Sequence, residues 1–266
     1  MLDVATLAAS LLAEPPVNVL DDTPPILVDV QPGVWLTRVR GFTAAGGSTF
    51  SLDKAMGLDE HNTAFRGALT VTREPWAVKL MSTSFGATGS AESTGGTWAG
   101  QVVTAGDSTS FDARWLQLEA QWDHKAPRGD GSRRTNDPLD LLFGPHVAVS
   151  YLDLEQRLTS ASSLNTVSRD GAWWTVMVGG QLTMQADLKR MVGWLHQLKV
   201  EVAGSAGATM NGGGAWSVRA GFTLQFTETV GATIGYRLME FTDLEQGDWT
   251  VSPSFPGLYV GVNVSF

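Results

Sequence analysis

The sequence predicts an all-β fold: a single antiparallel up-and-down transmembrane β-barrel of about ten strands, within a range of eight to twelve. Three observations predict it. Segments of period-2 hydrophobicity recur along most of the chain, aromatic residues gather at the strand ends with the parity of the apolar face, and short and long connections alternate. The last nine residues show the pattern most plainly. Leu258, Val260, Val262, Val264 and Phe266 point one way, and Tyr259, Gly261, Asn263 and Ser265 point the other.

Bulk composition is compatible with this reading. The chain has 266 residues, 30 Gly, 10 Trp and only 17% charged residues, with a mean hydropathy near zero. No stretch reaches the roughly 20 consecutive apolar residues of a spanning helix. A barrel escapes that test, because lipid-facing and lumen-facing residues alternate and cancel in any window average. The net charge of −9 and the lack of a basic run on the strands argue against nucleic acid as a partner. Cysteine is absent, which fits an oxidising periplasm and a reducing cytosol equally well.

Taken in order, residues 1–13 include the apolar run Val4–Ala13, read either as the remnant of an export signal without its basic start or as a short helix that stays with the protein. Residues 14–33 contain Glu14-Pro-Pro and Thr23-Pro-Pro and read as a proline-rich periplasmic arm. The barrel is expected over 34–266. Its strands are expected near 34–43, 63–74, 76–85, 111–123, 144–155, 172–185, 194–205, 215–227, 230–241 and 257–266. The third has the weakest alternation, because Val78 and Leu80 give way to Ser82 and Ser84.

With a periplasmic N-terminus, the short inner turns fall at 74–76, 186–193 and 227–230. The outer loops fall at 44–62, 86–110, 156–171, 204–214 and 242–256. They hold Asp53, Asp59, Glu60, Asp107, Asp170, Asp243, Glu245 and Asp248. The connection 124–140, with Arg128-Gly-Asp-Gly-Ser-Arg-Arg134, is a long inner turn that breaks the alternation; such a run ordinarily is solvated loop.

Trp35, Trp76, Trp122, Trp194, Phe226 and Phe266 then fall at periplasmic strand ends with outward parity, an expected membrane-interface girdle. Phe65, Trp174 and Trp216 are candidates for the outer girdle. The opposite parity collects Arg38, Arg40, Arg66, Glu119, Lys199, Glu201, Arg219 and Arg237 as a lumen charge network, together with Gln117, Gln181 and Gln185. Charges inside a small barrel must pair or reach water. Equal heights on neighbouring strands predict contact among Glu201, Arg219 and Arg237.

The alternating terminal strand, the girdles and the unequal loops together resemble bacterial outer-membrane β-barrel proteins, in particular small barrels of the OmpA-like and OmpW-like kind, over 34–266. The resemblance implies location in a bacterial outer membrane, outer-membrane lipid as surroundings and a monomer. It implies an assembly signal, read by the barrel-assembly machinery, in the terminal strand with Tyr259, Val262, Val264 and Phe266. The segment Ser51–Asp59 looks like a signature of uncharacterised barrels. No peptidoglycan-binding domain is expected to follow.

The function expected is structural, or that of a narrow anion-favouring channel for a small solute or ion, without enzymatic activity, cofactor or metal. Two alternatives stay open. A soluble all-β ligand-binding barrel or sandwich would place the aliphatic face in its core and the Arg-bearing face in water. An outer-membrane hydrolase would need a rim site, for which His61, after Asp59 and Glu60, is the one candidate. Scattered acids and four His lack the spacing of a zinc or calcium site.

Overall fold

The computed structural model describes residues 26–92, 95–125, 139–189 and 192–266. The expected signal remnant, most of the arm and the basic stretch 128–134 lie outside the described residues. Ten long antiparallel strands form the wall: β1 (Leu27–Thr37), β2 (Asn62–Arg73), β3 (Trp76–Ser90), β4 (Ser108–Trp122), β5 (Leu139–Thr159), β6 (Thr166–Asp187), β7 (Gln197–Thr209), β8 (Gly214–Gln225), β9 (Val230–Thr242) and β10 (Trp249–Ser265). Each pairs with its neighbour in sequence, and β10 pairs with β1 through Val34↔Val260 and Leu36↔Leu258. The sheet therefore closes and leaves no edge, as backbone groups in hydrocarbon require.

All ten expected strands are present, and the third is a regular strand of 15 residues. Several run further than expected at the outer end. β5 and β6 continue to Thr159 and Thr166, so most of the loop expected over 156–171 is a hairpin standing above the membrane.

The largest revision is at the start. β1 begins at Leu27, so residues 27–33 of the expected arm belong to the wall. Pro32 lacks an N–H, and the ladder accommodates it: β10 pairs with β1 at Val30 and again at Gly33, but not at Pro32. Above Thr37 the strand breaks at Arg38 and Val39. It resumes as a segment, Arg40–Ala45, that pairs with Trp249–Ser254 of β10 and turns back through Thr49–Ser51.

The outer wall is a continuous apolar surface. Val78, Leu80, Leu116, Leu118, Val147, Val149, Val176, Val178, Leu182, Val202, Val218, Phe222, Ile234, Val260 and Val262 are all exposed. Water would not tolerate a patch of this extent around a monomer, which excludes the soluble alternative. Trp76 and Trp122 face each other across β3 and β4 with ring centroids 4.6 Å apart, and Trp194 stacks on Phe226 at 6.2 Å. With exposed Phe266 they form the periplasmic girdle. At the opposite end Phe65 and Trp174 are exposed, Trp174 leaning on Tyr151 at 5.1 Å.

Trp35 does not belong to that girdle. It is 3% exposed, points inward and packs against Phe255 near the outer end. The same one-residue inversion turns Arg38 and Arg40 outward, because buried Thr37 and Val39 alternate with them; Arg40 is exposed and Arg38 half-buried.

Candidate functional site: the barrel lumen

The lumen is built in three levels. At the outer end it is filled by an apolar cap. The segment Ser51–Asp59 makes a single helical turn, with the Ala55 and Met56 amides donating to the Ser51 carbonyl, and its side chains Leu52, Met56 and Leu58 are fully buried. Spacing by four places Leu52 and Met56 on one face of that turn. The connection after β3 carries Trp98 and Val103 into the same cluster, and the wall adds Phe111, Leu154, Leu158, Trp173, Phe241, Trp249, Val251 and Phe255.

One hydroxyl organises the cap. Thr43 Oγ1 accepts from the indole nitrogens of Trp98 at 3.2 Å and Trp249 at 3.0 Å, and donates to Gln156 Oε1 at 2.8 Å. A hydroxyl has one donor and two acceptor sites, so Thr43 is saturated. Asp107, expected to be a solvated loop acid, is instead 1% exposed; its carboxylate accepts the amides of Thr104 and Ala161 at 2.9 Å each. It thereby ties the connection after β3 to the turn between β5 and β6.

The middle level is charged. Arg219 reaches across the lumen to Glu119 with Nη1 to Oε2 at 2.7 Å and Nη2 to Oε1 at 2.6 Å. Its Nε donates to Glu201 Oε1 at 2.9 Å and its Nη2 also to Gln181 Oε1 at 2.7 Å. Lys199 stands 3.5 Å from Glu201. Gln117 donates to Glu119 at 3.1 Å and accepts from Arg237 Nη2 at 2.9 Å.

The expected Glu201–Arg219 contact is therefore made, and Arg237 joins it only through Gln117 and Glu119. Arg219 and Arg237 are direct cross-strand partners on β8 and β9. Like charges placed opposite repel, and the two guanidinium groups diverge to different partners. Arg237 lies over the Trp115 ring at 4.2 Å and Arg66 over the Tyr259 ring at 4.5 Å. Tyr259 fits because its hydroxyl lies over Gly221 and Gly235, where a Cβ would come within 2.4 Å of it.

The periplasmic level is polar and wetter. Thr223 and Thr233 hydroxyls meet at 2.7 Å, Thr233 donates to Asn263 at 3.3 Å, and Gln121 bonds Asp123. The side chains of Lys199 and Glu201 retain 37% and 20% of their exposure, so solvent enters from this end.

Of the eight expected lumen charges, Arg66, Glu119, Lys199, Glu201, Arg219 and Arg237 face inward; Arg38 and Arg40 do not. Lys79 was missed although its parity, between exposed Val78 and Leu80, marked it as inward. It pairs in register with Glu119. Cap residues Trp98, Trp249, Thr43 and Gln156 were also missed. A Trp in a polar loop was the available signal, since an indole there needs both an apolar seat and an acceptor.

The remaining expected residues lie elsewhere. Of the assembly-signal residues, Tyr259 faces the lumen and Val262 and Phe266 face outward. His61, Asp59 and Glu60 are exposed, and no hydrogen bond joins His61 to either acid. His146 is buried in the lumen at 3% exposure, and its Nδ1 has no partner among the described residues. Among the described residues no group of three His, Asp or Glu side chains converges as a metal site.

An even number of closed antiparallel strands, an apolar band between aromatic girdles and a polar interior are the architecture of bacterial outer-membrane barrels. The chain is one of these by fold, and the outer membrane is where such a wall is solvated. Solved structures similar to it are of this kind. They include the attachment invasion locus protein Ail of Yersinia pestis (9% identity, TM-score 0.37, covering 91% of this chain and 99% of that one). Neisserial surface protein A matches at 12% identity and a TM-score of 0.36, covering 91% and 97%. The outer membrane protease OmpT of Escherichia coli matches at 8% identity and a TM-score of 0.43, covering 93% and 99%. No protein-family model matches the chain, and no curated protein matches it.

Proposed function

We propose that this outer-membrane barrel has a structural role and does not conduct in its resting state. The single observation that supports this reading is the cap. Leu52, Met56, Leu58, Trp98 and Trp249 are fully buried in one apolar cluster across the outer mouth. Below it, the Glu119–Arg219–Glu201 brace ties β4 to β7 and β8 across the lumen.

A narrow anion-favouring channel is the second reading. It is favoured by the lumen balance of Arg66, Lys79, Lys199, Arg219 and Arg237 against Glu119 and Glu201, the composition that anion selectivity uses. It requires the cap to move. No enzymatic activity is proposed, because among the described residues no hydrogen bond joins His61 to Asp59 or Glu60.

The test begins with refolding into detergent and comparing heated with unheated samples on cold SDS gels, followed by single-channel recording in planar bilayers. The structural reading expects a heat-modifiable band without discrete current steps. Steps favouring anions in the unaltered chain would replace it with the channel reading.

A further inference from the structure

Outside the brace, the lumen holds a second group of cations, Arg66 and Arg237, that no carboxylate among the described residues contacts. Arg66 and Arg237 are 7% and 3% exposed. Arg66 Nη2 and Arg237 Nη1 both point at Sδ of Met81, at 3.8 and 3.7 Å. A thioether sulfur is a weak, uncharged acceptor. The oxygen acceptor bonded to Arg237 is Gln117 Oε1, a neutral amide, and Arg66 has the face of Tyr259.

The two carboxylates of the level are already taken. Glu119 is bonded at both oxygens by Arg219, and Glu201 is shared by Arg219 and Lys199. Four donors around Arg66 and Arg237 have no acceptor among the described residues: Nε of each arginine and the indole nitrogens of Trp35 and Trp115. Trp115 lies beneath Arg237. The Trp35 indole nitrogen sits 2.7 Å from where a Cβ on Gly257 would stand, and Gly257 is the cross-strand partner of Arg237. A group that satisfies these donors is both an acceptor and negatively charged, since buried cations are retained only when paired.

We propose that Arg66 and Arg237 hold a small monovalent anion of the halide type between them, at the position the Met81 thioether now shares with them. Met81 has three rotatable bonds and can swing aside without disturbing the wall. The apolar cap above and the rings of Trp35, Trp115 and Tyr259 around it limit the anion to a small, weakly hydrated one. The site is a resident counter-ion and does not depend on whether the barrel conducts.

The experiment refolds the full chain in uncharged detergent with either chloride or gluconate as the anion, at one ionic strength, and follows the folded fraction through thermal unfolding. Gluconate screens charge as chloride does but is too large for the site. Chloride at ten times its dissociation constant should raise the folded-to-unfolded ratio about tenfold, and above the dissociation constant the ratio should go on rising in proportion to chloride.

Met81→Glu supplies the anion from the chain. It should fold more stably than the parent in gluconate and gain nothing from chloride. Equal effects of chloride and gluconate, no effect of either, or a chloride gain that survives Met81→Glu would overturn the proposal. The comparison of the two salts in the unaltered chain decides it even where a variant folds poorly.

Discussion

Arg219 and Glu119, 100 residues apart in sequence, face each other across the lumen with both guanidinium ends on both carboxylate oxygens, at 2.7 and 2.6 Å. Their side chains are 6% and 1% exposed. A pair this deep is held by geometry, because each charge has lost its water and recovers the cost from the other and from Glu201, Gln181 and Gln117 bonded beside them. It spans strands four apart in a ring of ten, so it fixes the shape of the lumen as well as its charge.

Replacing Arg219 by Ala should therefore destabilise the folded barrel by about 3–5 kcal/mol, because Glu119 and Glu201 would be left without their shared cation. Replacing both Arg219 by Met and Glu119 by Gln should cost less than the single change. Urea unfolding midpoints in detergent check this. An unchanged midpoint for Arg219→Ala would remove the brace from the account.

The Thr43 hydroxyl gives a second, separate prediction. Thr43→Val keeps the shape but leaves the Trp98 and Trp249 indole N–H groups without acceptors in a dry cap. Each orphaned donor costs about 1–3 kcal/mol, so the variant should lose about 2–6 kcal/mol while Thr43→Ser stays near the parent. Tryptophan fluorescence reads out whether the two rings become wetter.

The cap also explains where the sequence was legible and where it was not. Strands with a polar lumen face, such as β7 with Lys199 and Glu201 beside Val200 and Val202, alternate cleanly and were readable with the right parity. At the outer end both faces are apolar. Val34, Leu36 and Phe42 face outward while Trp35, Val39 and Ala45 face the cap, so alternation there carries no information about direction. Alternation therefore assigns Trp35 to the wrong face, and Arg38 and Arg40 with it. Pro32 hid the lower half of β1, because only the pairing register shows that its absent N–H falls where the ladder to β10 is interrupted. The Ser51–Asp59 turn stood out as a motif, yet its meaning as a plug depends on wall residues far away in sequence, among them Phe241 and Val251.

Opening the mouth should separate the two functional readings. Leu52→Asp places a charge where the parent has a fully buried side chain, and the turn should leave the cap to solvate it. The expected outcome is a barrel that still folds but becomes cleavable by protease near 51–59. Discrete anion-favouring currents in this variant alone would mean that the cap is the gate. Silence would mean that the middle level is closed by itself.

At the top of the barrel, Arg169 donates from Nε and Nη2 to the two carboxylate oxygens of Asp248, at 3.0 and 2.9 Å. This bond holds the Asp248 carboxyl below the usual carboxylate range. A lowered folded pKa stabilises above the unfolded value and is lost as pH falls through the folded one. Hydrogen-exchange protection at the outer ends of β6 and β10, taken relative to the intrinsic exchange rate, should therefore fall below the ordinary Asp range near 3.9 in the parent. In Asp248→Asn that pH dependence should be absent.

Two adjacent residues of β4 face opposite sides of the wall. Gln117 is 2% exposed and faces the lumen, whereas Leu118 is 51% exposed and faces out. Leu118 lies four residues above Trp122, which at a strand tilt near 40° places it roughly 10 Å above the girdle, close to the bilayer midplane. Leu118→Arg should cost about 2–4 kcal/mol in lipid vesicles. The same change on a water-exposed surface would be neutral, so an unaltered folded fraction in vesicles would contradict the assignment of this wall to lipid. Gln117→Leu supplies the converse control. It leaves the outer wall untouched and removes the acceptor of Arg237, so it should destabilise equally in detergent and in lipid, while the Leu118→Arg penalty should depend on bilayer thickness.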